Sequence, residues 1–267
     1  MRIQSSKPHS IQTAALIALA LTSVACAEPK ADAELEIGKV LKLKYDFKEA
    51  KKEMEYGLYL PKGYDKEKEY PLIVALHGLH SNPFQILGYP GLTKHADEHG
   101  YVLVAPMGYN TRGWYGVLGK GGQKSGDPKN LGELSEKDVM NVLDLAKKQA
   151  NVNEDRVYLL GHSMGGGGTL HLAMKYPKIW AAMAPIAPAA FWGMDKLKDA
   201  KHIPAIVVQG EKDRLVPAAA TRRWVKKMEE LGMEHRYIEE KGGDHVFVAF
   251  KHFDEIFEFF GKHSRKK

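Results

Sequence analysis

The residues of this chain best suited to chemistry surround Ser163, in the segment VYLLGHSMGGGGTL at residues 157–170. Gly161, Ser163 and Gly165 fit the pattern G-x-S-x-G directly after an apolar run that predicts a buried strand. A helix is predicted to begin at about Met164, so the serine lies in a sharp strand-to-helix turn. Such a turn raises the hydroxyl at the carboxyl end of a sheet, where the positive end of a helix favours a developing anion. We therefore predict that Ser163 is a nucleophile.

A serine hydroxyl is a weak nucleophile unless a base activates it and a carboxylate orients that base. His245, in KGGDHVF, follows the last predicted strand and is the predicted base. Asp213, in VVQGEKDRLVP, follows the preceding strand and is the predicted carboxylate. Glu211 is its near rival, and Asp195 and Asp244 are remoter ones. Ser163, Asp213 and His245, in this chain order, are predicted to form a catalytic triad.

The tetrahedral intermediate of acyl transfer needs two N–H donors for its oxyanion. Met164, directly after the serine, is predicted to supply one of them. Leu79, in the loop HGLHSN after the third predicted strand, is predicted to supply the other. His77, at the end of that strand, is interpreted as a brace for the loop, and His162 as part of the turn around the serine.

Other motifs point to other chemistry but are less complete. The glycines could form a phosphate cradle, yet the chain has no Walker pattern, and GKGGQKSG at 119–126 lacks the Gly-Lys-Ser order. His95 to His99 fit H-x-x-E-H, which can hold zinc on a helix, and His77 and His80 fit H-x-x-H. The helix predicted to carry His95 and His99 ends at Gly100, and the sequence offers no convincing third ligand. We therefore predict no metal and no cofactor.

Eight strand signals alternate with helix signals along the chain. Continuous apolar runs predict strands buried on both faces, whereas the first two signals alternate apolar and polar residues, as edge strands do. The signals lie at 39–47, 53–61, 70–78, 100–106, 155–161, 181–188, 203–210 and 235–242. This alternation predicts a single α/β domain with a mostly parallel central sheet and helices on both faces.

Four helices are predicted around this sheet in addition to the one that ends at Gly100. Ser135 and Asp138 form a capping box, which predicts a helix start there. Further helices are predicted from Met164 to before Pro177, over 218–231 and over 249–260. The last carries a stripe of large apolar residues, which indicates core packing rather than membrane contact because its other face is acidic.

Residues 1–27 form a predicted secretory signal, with a basic start, an apolar stretch and small residues before the cut. Ala25-Cys26-Ala27 is a cleavage site that would release a chain starting at Glu28, while TSVAC also resembles a lipobox that would make Cys26 a lipidated first residue. We expect a periplasmic or secreted protein, attached to a membrane only through a lipidated Cys26. Residues 28–267 form the predicted domain.

The net charge of +6 comes from the two ends of the chain. Two basic residues lie before residue 28 and four lie in KHSRKK at 262–267, a tail predicted to be frayed, so the body is neutral. A nucleic-acid-binding protein carries its basic charge on the folded face, and we therefore predict no nucleic-acid partner. One cysteine excludes a disulfide framework within the chain.

Taken together, LHG, GHSMGG, GEKDRLVP and GGDH resemble an α/β-hydrolase of the esterase type. YLPKGYDKEKEYPLIVALHG, DEHGYVLVAP and DRVYLLGHSMGG are similar to feruloyl esterases, acetyl-xylan esterases and polyhydroxybutyrate-depolymerase-like enzymes, over roughly residues 40–250. GHSMGGGGT also resembles bacterial cutinase-type polyester hydrolases. Those enzymes usually carry a carboxy-terminal disulfide and an aromatic oxyanion residue, whereas this chain has no cysteine pair and has Leu79 at that place.

The resemblance implies a serine hydrolase that cleaves carboxylic esters through an acyl-enzyme, with an ester on a small molecule or a polymer as substrate. Trp114 and Tyr115, in a long glycine-rich loop at 108–126, and Phe191 and Trp192, after the sixth strand, are predicted substrate contacts. A peptidase of the prolyl-oligopeptidase type shares the motif and the triad order. A non-catalytic binding protein on the same fold is the alternative from another class.

Overall fold

The structure is a computed structural model, and it describes residue 1, residues 35–122 and residues 124–265. The predicted signal and Cys26 lie outside the described residues. All eight predicted strands are present, each close to its expected bounds. They are β1 Val40–Phe47, β2 Lys52–Tyr59, β3 Tyr70–Leu76, β4 Val102–Pro106, β5 Val152–His162, β6 Ala182–Ile186, β7 Ala205–Gly210 and β8 His235–Glu240.

The strands form one sheet in the order β1-β2-β4-β3-β5-β6-β7-β8. β1 pairs with β2 and β2 with β4 in antiparallel fashion, and all other neighbours are parallel. The carboxyl ends of the parallel strands therefore meet at one edge of the sheet, here called the carboxyl edge. Loops after β3, β4, β5, β6, β7 and β8 converge there, which is where ligands bind in open α/β sheets.

The described residues contain seven α-helices, of which five lie between strands and the last two follow β8. They are α1 Pro83–Leu87, α2 Leu92–His99, α3 Leu131–Gln149, α4 Met164–Lys175, α5 Ala218–Glu230, α6 Val248–Lys251 and α7 Phe253–Gly261. Short 3-10 segments occur at Lys48–Ala50, Trp114–Gly116 and Met194–Ala200. Among the described residues, no helix combines the length and the apolar character that a membrane span requires.

The hydrophobic core has two layers, one on each face of the sheet. Alternate residues of β3 point to opposite layers: Leu72 and Val74 pack with α3, α4 and α5, whereas Ile73 and Ala75 pack with α1, α2 and α7. The apolar stripe of α7 is buried in the second layer, as predicted. The predicted fold class, a mostly parallel sheet covered by helices on both faces, is confirmed.

One predicted helix start is wrong, and one helix predicted to be continuous is interrupted. α3 begins at Leu131, one turn before Ser135, and Ser135 is buried within the helix, where its Oγ accepts the Tyr115 N–H at 3.0 Å. The hydroxyl thus serves a tertiary contact and not a cap. The last helix is interrupted at His252, where the backbone leaves the helical region and the imidazole contacts Glu240 and Glu255.

Candidate active site

Ser163 occupies the turn between β5 and α4. Its backbone has φ 59° and ψ −116°, a left-handed region that non-glycine residues rarely adopt. Three backbone hydrogen bonds fix the turn: the Ser163 N–H donates to the Ile186 carbonyl at 2.9 Å, and its carbonyl accepts from Gly167 and Ala189 at 3.0 Å each. The side chain remains half-buried at the carboxyl edge. The structure therefore places Ser163 in the geometry that a nucleophile elbow requires.

The glycines around Ser163 allow close packing of α4 rather than flexibility. A Cβ on Gly165 would lie 2.0 Å from the Leu76 carbonyl oxygen, and one on Gly168 would lie 2.6 Å from the Tyr115 ring. A Cβ added to Gly161, Gly166 or Gly167 would likewise lie within 2.6 Å of a backbone oxygen. The run of glycines thus lets the helix approach the sheet and the neighbouring loops from every side.

Asp213 and His245 meet at the same edge, although 32 positions separate them. His245 Nδ1 lies 2.6 Å from Asp213 Oδ2, and both side chains are buried. An ionised carboxylate only accepts hydrogen bonds, so Nδ1–H is the donor and Nε2 is the nitrogen left to act as an acceptor. This is the tautomer that a general base needs.

Three further groups hold Asp213 in place. The N–H groups of Leu215 and Val216 donate to Oδ1, each at 2.8 Å, and Gln209 Nε2 donates to Oδ2 at 3.1 Å. Gln209 is itself fixed, because Thr221 Oγ1 donates to its Oε1 at 2.6 Å. Sequence reasoning missed Gln209, although a polar residue within the apolar run of β7 is a signal that buried hydrogen bonding is needed.

The rival carboxylates have other partners or positions. Glu211 is exposed and accepts the Gly242 N–H at 2.7 Å, and Asp244 Oδ1 accepts the N–H groups of Val246 and Phe247. Both therefore shape the turns beside His245. Asp195 lies in the 3-10 segment after β6 and is exposed.

His162 ties the elbow to the loop that carries His245. Its Nε2 lies 2.9 Å from the His245 carbonyl oxygen, and the two rings lie 4.8 Å apart between centroids. Because that carbonyl only accepts, Nε2–H donates, and Nδ1 accepts from the Tyr89 hydroxyl at 2.9 Å. Burial, and then the neighbouring His245, lower the pKa of His162 to about 4. The neutral His162 ring thus holds His245 against the serine turn. The sequence pattern did not predict this role for His162 or the supporting role of Tyr89.

The loop after β3 lies beside the serine. A Cβ on Gly78 would lie 3.5 Å from Ser163 Cβ, so Leu79 follows at the rim of the site. Among the described residues, the backbone N–H groups of Leu79 and Met164 donate no hydrogen bond. His77 is fully buried, with one ring nitrogen 2.8 Å from the Gly78 carbonyl and the other 2.9 Å from that of Met107. Burial lowers the pKa of His77, and the ring links this loop to the one after β4.

Backbone strain is concentrated around this site. Of the seven described non-glycine residues with positive φ, six lie in loops after the carboxyl ends of the parallel strands β3, β4, β5 and β6. They are His80, Tyr109, Trp114, Tyr115, Ser163 and Ala187. Such conformations cost free energy and persist where the surrounding structure determines them, as at functional sites.

The predicted substrate contacts differ in exposure. Trp114 is half-buried, whereas Tyr115 is fully buried, with its hydroxyl donating to the His77 carbonyl at 3.2 Å. The prediction for Tyr115 is therefore wrong: its ring supports α4 and the loop of His77 from below. Phe191 and Trp192 are 39% and 57% exposed and can contact a ligand.

An apolar rim surrounds the site. Six of the eight large apolar side chains that the described residues expose lie in loops at the carboxyl edge. They are Leu79, Phe191, Trp192, Leu215, Val246 and Phe247, which are here called the apolar rim. Exposed apolar groups concentrated in one region mark a binding surface.

The fold and the elbow define an α/β-hydrolase. Residues 48–259 match the family described as "Putative esterase", and the chain belongs to this esterase family. The resemblance predicted from the sequence motifs is confirmed. Nothing in this match assigns roles to individual residues, so the triad and the oxyanion donors stay predictions.

The chain is similar to several esterases. A bifunctional acetylxylan esterase/xylanase of Neocallimastix patriciarum is 30% identical over 147 residues, which cover 54% of this chain and 19% of that protein. Cutinase 1 of Thermobifida cellulosilytica is 34% identical over 71 residues, covering 27% of this chain and 26% of the cutinase. These matches thus cover only a minor part of each relative.

A solved structure shows the likeness of the fold over a greater length. The ferulic acid esterase of Anaeromyces mucronatus superposes with a TM-score of 0.67 at 18% identity, over 87% of this chain and 93% of that one.

Proposed function

We propose that this protein is a serine hydrolase that cleaves carboxylic esters with Ser163, His245 and Asp213. The observation that carries the proposal is the hydrogen bond from the elbow residue His162 to the His245 carbonyl, at 2.9 Å. It brings the imidazole oriented by Asp213 against the strained turn of Ser163. Membership of the esterase family supports the reaction class.

In the proposed mechanism, Ser163 Oγ attacks the ester carbonyl while His245 Nε2 takes its proton. The N–H groups of Leu79 and Met164 donate to the oxyanion of the tetrahedral intermediate. His245 then returns the proton to the leaving alcohol, and an acyl-enzyme remains on Ser163. Water, deprotonated by the same imidazole, attacks the acyl group and releases the acid. Asp213 stays ionised and stabilises the imidazolium in both steps.

The proposed substrates are esters with an apolar acyl or alcohol part, feruloyl and acetyl esters or short polyester-like chains among them. Support comes from the apolar rim, in which Phe191 and Trp192 offer aromatic surface shortly after Ala189, whose N–H donates to the Ser163 carbonyl. The acetylxylan esterase, cutinase and ferulic acid esterase similarities favour the same range. A ring or alkyl chain placed on the rim would gain about 25 cal/mol per Å² of apolar surface removed from water.

The test compares the protein with Ser163→Ala on p-nitrophenyl acetate, butyrate and octanoate, on methyl ferulate and on a prolyl p-nitroanilide peptide. We expect ester turnover that falls by about 10³-fold or more in Ser163→Ala, since the nucleophile is lost. Ser264→Ala, which removes an exposed serine near the carboxyl terminus, is the matched control and should keep full activity.

A fluorophosphonate probe completes the design. The parent protein and Ser264→Ala should be labelled, and Ser163→Ala should not be. A folded protein that resists the probe and turns over no ester would overturn the proposal and favour a binding protein. Faster turnover of the peptide than of any ester would favour the peptidase instead.

A further inference from the structure

The H-x-x-E-H segment lies on α2, where His95 and His99 are one helical turn apart on the same face. The structure adds a partner that the sequence did not reveal. Asp254, in the first turn of α7, lies against these histidines, and one ligand atom from each of the three residues lies within 4.8 Å of the other two. A third candidate ligand is therefore present, on a helix more than 150 positions further along the chain.

The imidazole of His95 has an unused nitrogen. Nδ1 is buried without a hydrogen-bond partner, although Glu98 Oε2 lies 3.3 Å and Asp254 Oδ1 lies 4.0 Å away. A buried polar atom without a partner costs free energy. His252, on the same side of the sheet, differs: its two ring nitrogens contact Glu255 and Glu240 at 3.0 and 3.2 Å.

The three side chains offer two imidazole nitrogens and a carboxylate oxygen. This donor set suits zinc, and also the neighbouring divalent ions cobalt and nickel, rather than calcium or magnesium, which prefer oxygen alone. Zinc bonds of about 2.1 Å in a tetrahedron place ligand atoms about 3.4 Å apart. The ligand atoms of His95, His99 and Asp254 lie within 4.8 Å of one another, so a small inward movement is needed to bind the ion. The side chain of Asp254 is 82% exposed and is free to rotate inward, while Glu98 or water can complete the coordination.

We propose that His95, His99 and Asp254 form a binding site for a divalent transition-metal ion, with zinc as the favoured ion. The ion would join α2 to α7, two helices that already pack on each other around Phe257, against which both imidazoles lie. Because none of the proposed triad takes part, the site is structural: binding to the folded chain stabilises it by mass action. The proposal does not depend on ester hydrolysis.

The test uses tag-free protein freed of metal by a chelator and titrated calorimetrically with zinc chloride. The comparison set is the parent protein, His99→Ala, Asp254→Asn and a control, His202→Ala. Both ligand residues are exposed, so their variants should fold, and His202 is an exposed histidine whose Nε2 contacts the Pro177 carbonyl elsewhere on the surface. Thermal unfolding with and without zinc is measured on the same samples.

We expect one zinc ion per chain in the parent and in His202→Ala, with a rise in Tm on the order of 5 °C at saturating zinc. His99→Ala and Asp254→Asn should each bind zinc at least 10-fold more weakly, since even outer partners of metal ligands contribute about that much. Zinc affinity and Tm shift that stay unchanged in both variants would overturn the proposal, as would the absence of zinc binding to the parent. Magnesium at the same concentration should give no Tm shift.

Discussion

Two groups of histidines in this molecule have opposite surroundings. At the carboxyl edge, His77, His162 and His245 are buried, and each has a hydrogen-bond partner that restricts its ring. Between α2 and α7, His95 is partly buried and His99 is exposed, and the buried Nδ1 of His95 has no hydrogen-bond partner among the described residues. The first group is organised by the protein alone, whereas the second leaves donors for a ligand.

Within the first group, neighbouring atoms decide what each imidazole can do. His245 contacts a carboxylate, which fixes the tautomer and stabilises positive charge on the ring, so it can take up a proton. His162 lies 4.8 Å away between ring centroids but contacts a carbonyl and a hydroxyl, neither of which is charged. Burial therefore dominates, and its ring stays neutral above about pH 4. Two adjacent histidines thus serve as a proposed base and as a brace.

The largest effect should follow from removing the charge of the Asp213 carboxylate, which distinguishes His245 as the proposed base from His162 as a brace. Asp213→Asn keeps the size of the side chain but can present its amide N–H₂ to His245, which favours the wrong tautomer of the ring. We expect kcat/KM for p-nitrophenyl butyrate to fall by about 10⁴-fold, as in other serine triads. Steady-state kinetics measure the change, and the Tm shows whether the variant is folded.

Glu211→Gln is the matched control for Asp213→Asn. It changes the rival carboxylate two positions away and keeps an oxygen that can accept the Gly242 N–H. Its activity should stay within about threefold of the parent, because a surface substitution of this kind has a small effect. A large loss in Glu211→Gln together with an active Asp213→Asn would show that the wrong acid was assigned to His245.

His162 predicts a pH dependence of stability. Its pKa is about 4 when folded and 6.5 in the unfolded chain, so the unfolded state binds the extra proton first as the pH falls. This group therefore lowers the free energy of unfolding between about pH 6.5 and pH 4, by about 3 kcal/mol in total. His162→Asn has no imidazole to take up this proton. The difference in free energy of unfolding between the parent and this variant should therefore shrink by about 3 kcal/mol from pH 6.5 to pH 4.

Asp138 makes this comparison of the parent with His162→Asn necessary. It is buried, and burial raises its pKa to about 6, so it stabilises the fold as the pH falls over much the same range. Both proteins keep Asp138, and its contribution cancels in the difference. Urea unfolding at pH 4, 5, 6 and 7 gives the values. A difference that does not change with pH would show that His162 is not held neutral by burial.

The sequence predicted most of the fold because the relevant signals are local. Buried strands such as β3 and β7 are continuous apolar runs, and all eight strands lie where such runs or alternating patterns occur. The start of α3 and the interruption at His252, which the sequence did not predict, depend on contacts between distant segments. Ser135 looks like a helix cap, yet its hydroxyl accepts from Tyr115, 20 positions earlier.

The residues of the proposed site also fall into those that local sequence signals reveal and those that depend on tertiary packing. Ser163 is marked by the glycines that its turn requires, and Asp213 and His245 follow strands that the sequence reveals. Tyr115 is an aromatic residue in a glycine-rich loop, and nothing local distinguishes a pocket wall from a ring that is packed beneath one. Asp254 could not be paired with His95 from the sequence, because only the packing of α7 on α2 brings them together.

Tyr89→Phe gives the smallest effect and the sharpest test of the brace. The variant removes the hydroxyl that donates to His162 Nδ1 and leaves that buried nitrogen without a donor. We expect a loss of about 1 kcal/mol in the free energy of unfolding, typical of one hydrogen bond. Tyr70→Phe is the control, since its hydroxyl accepts the Asp65 N–H at 2.9 Å, away from the proposed site.

Both tyrosine variants should lose similar stability, but only Tyr89→Phe should lower kcat, by about fivefold, which corresponds to about 1 kcal/mol. The reason is that His162 Nε2 must carry the proton that it donates to the His245 carbonyl, and the Tyr89 hydroxyl favours that tautomer. KM should change little, because neither tyrosine belongs to the apolar rim. Equal kcat values in the two variants would mean that His162 supports the fold without positioning His245.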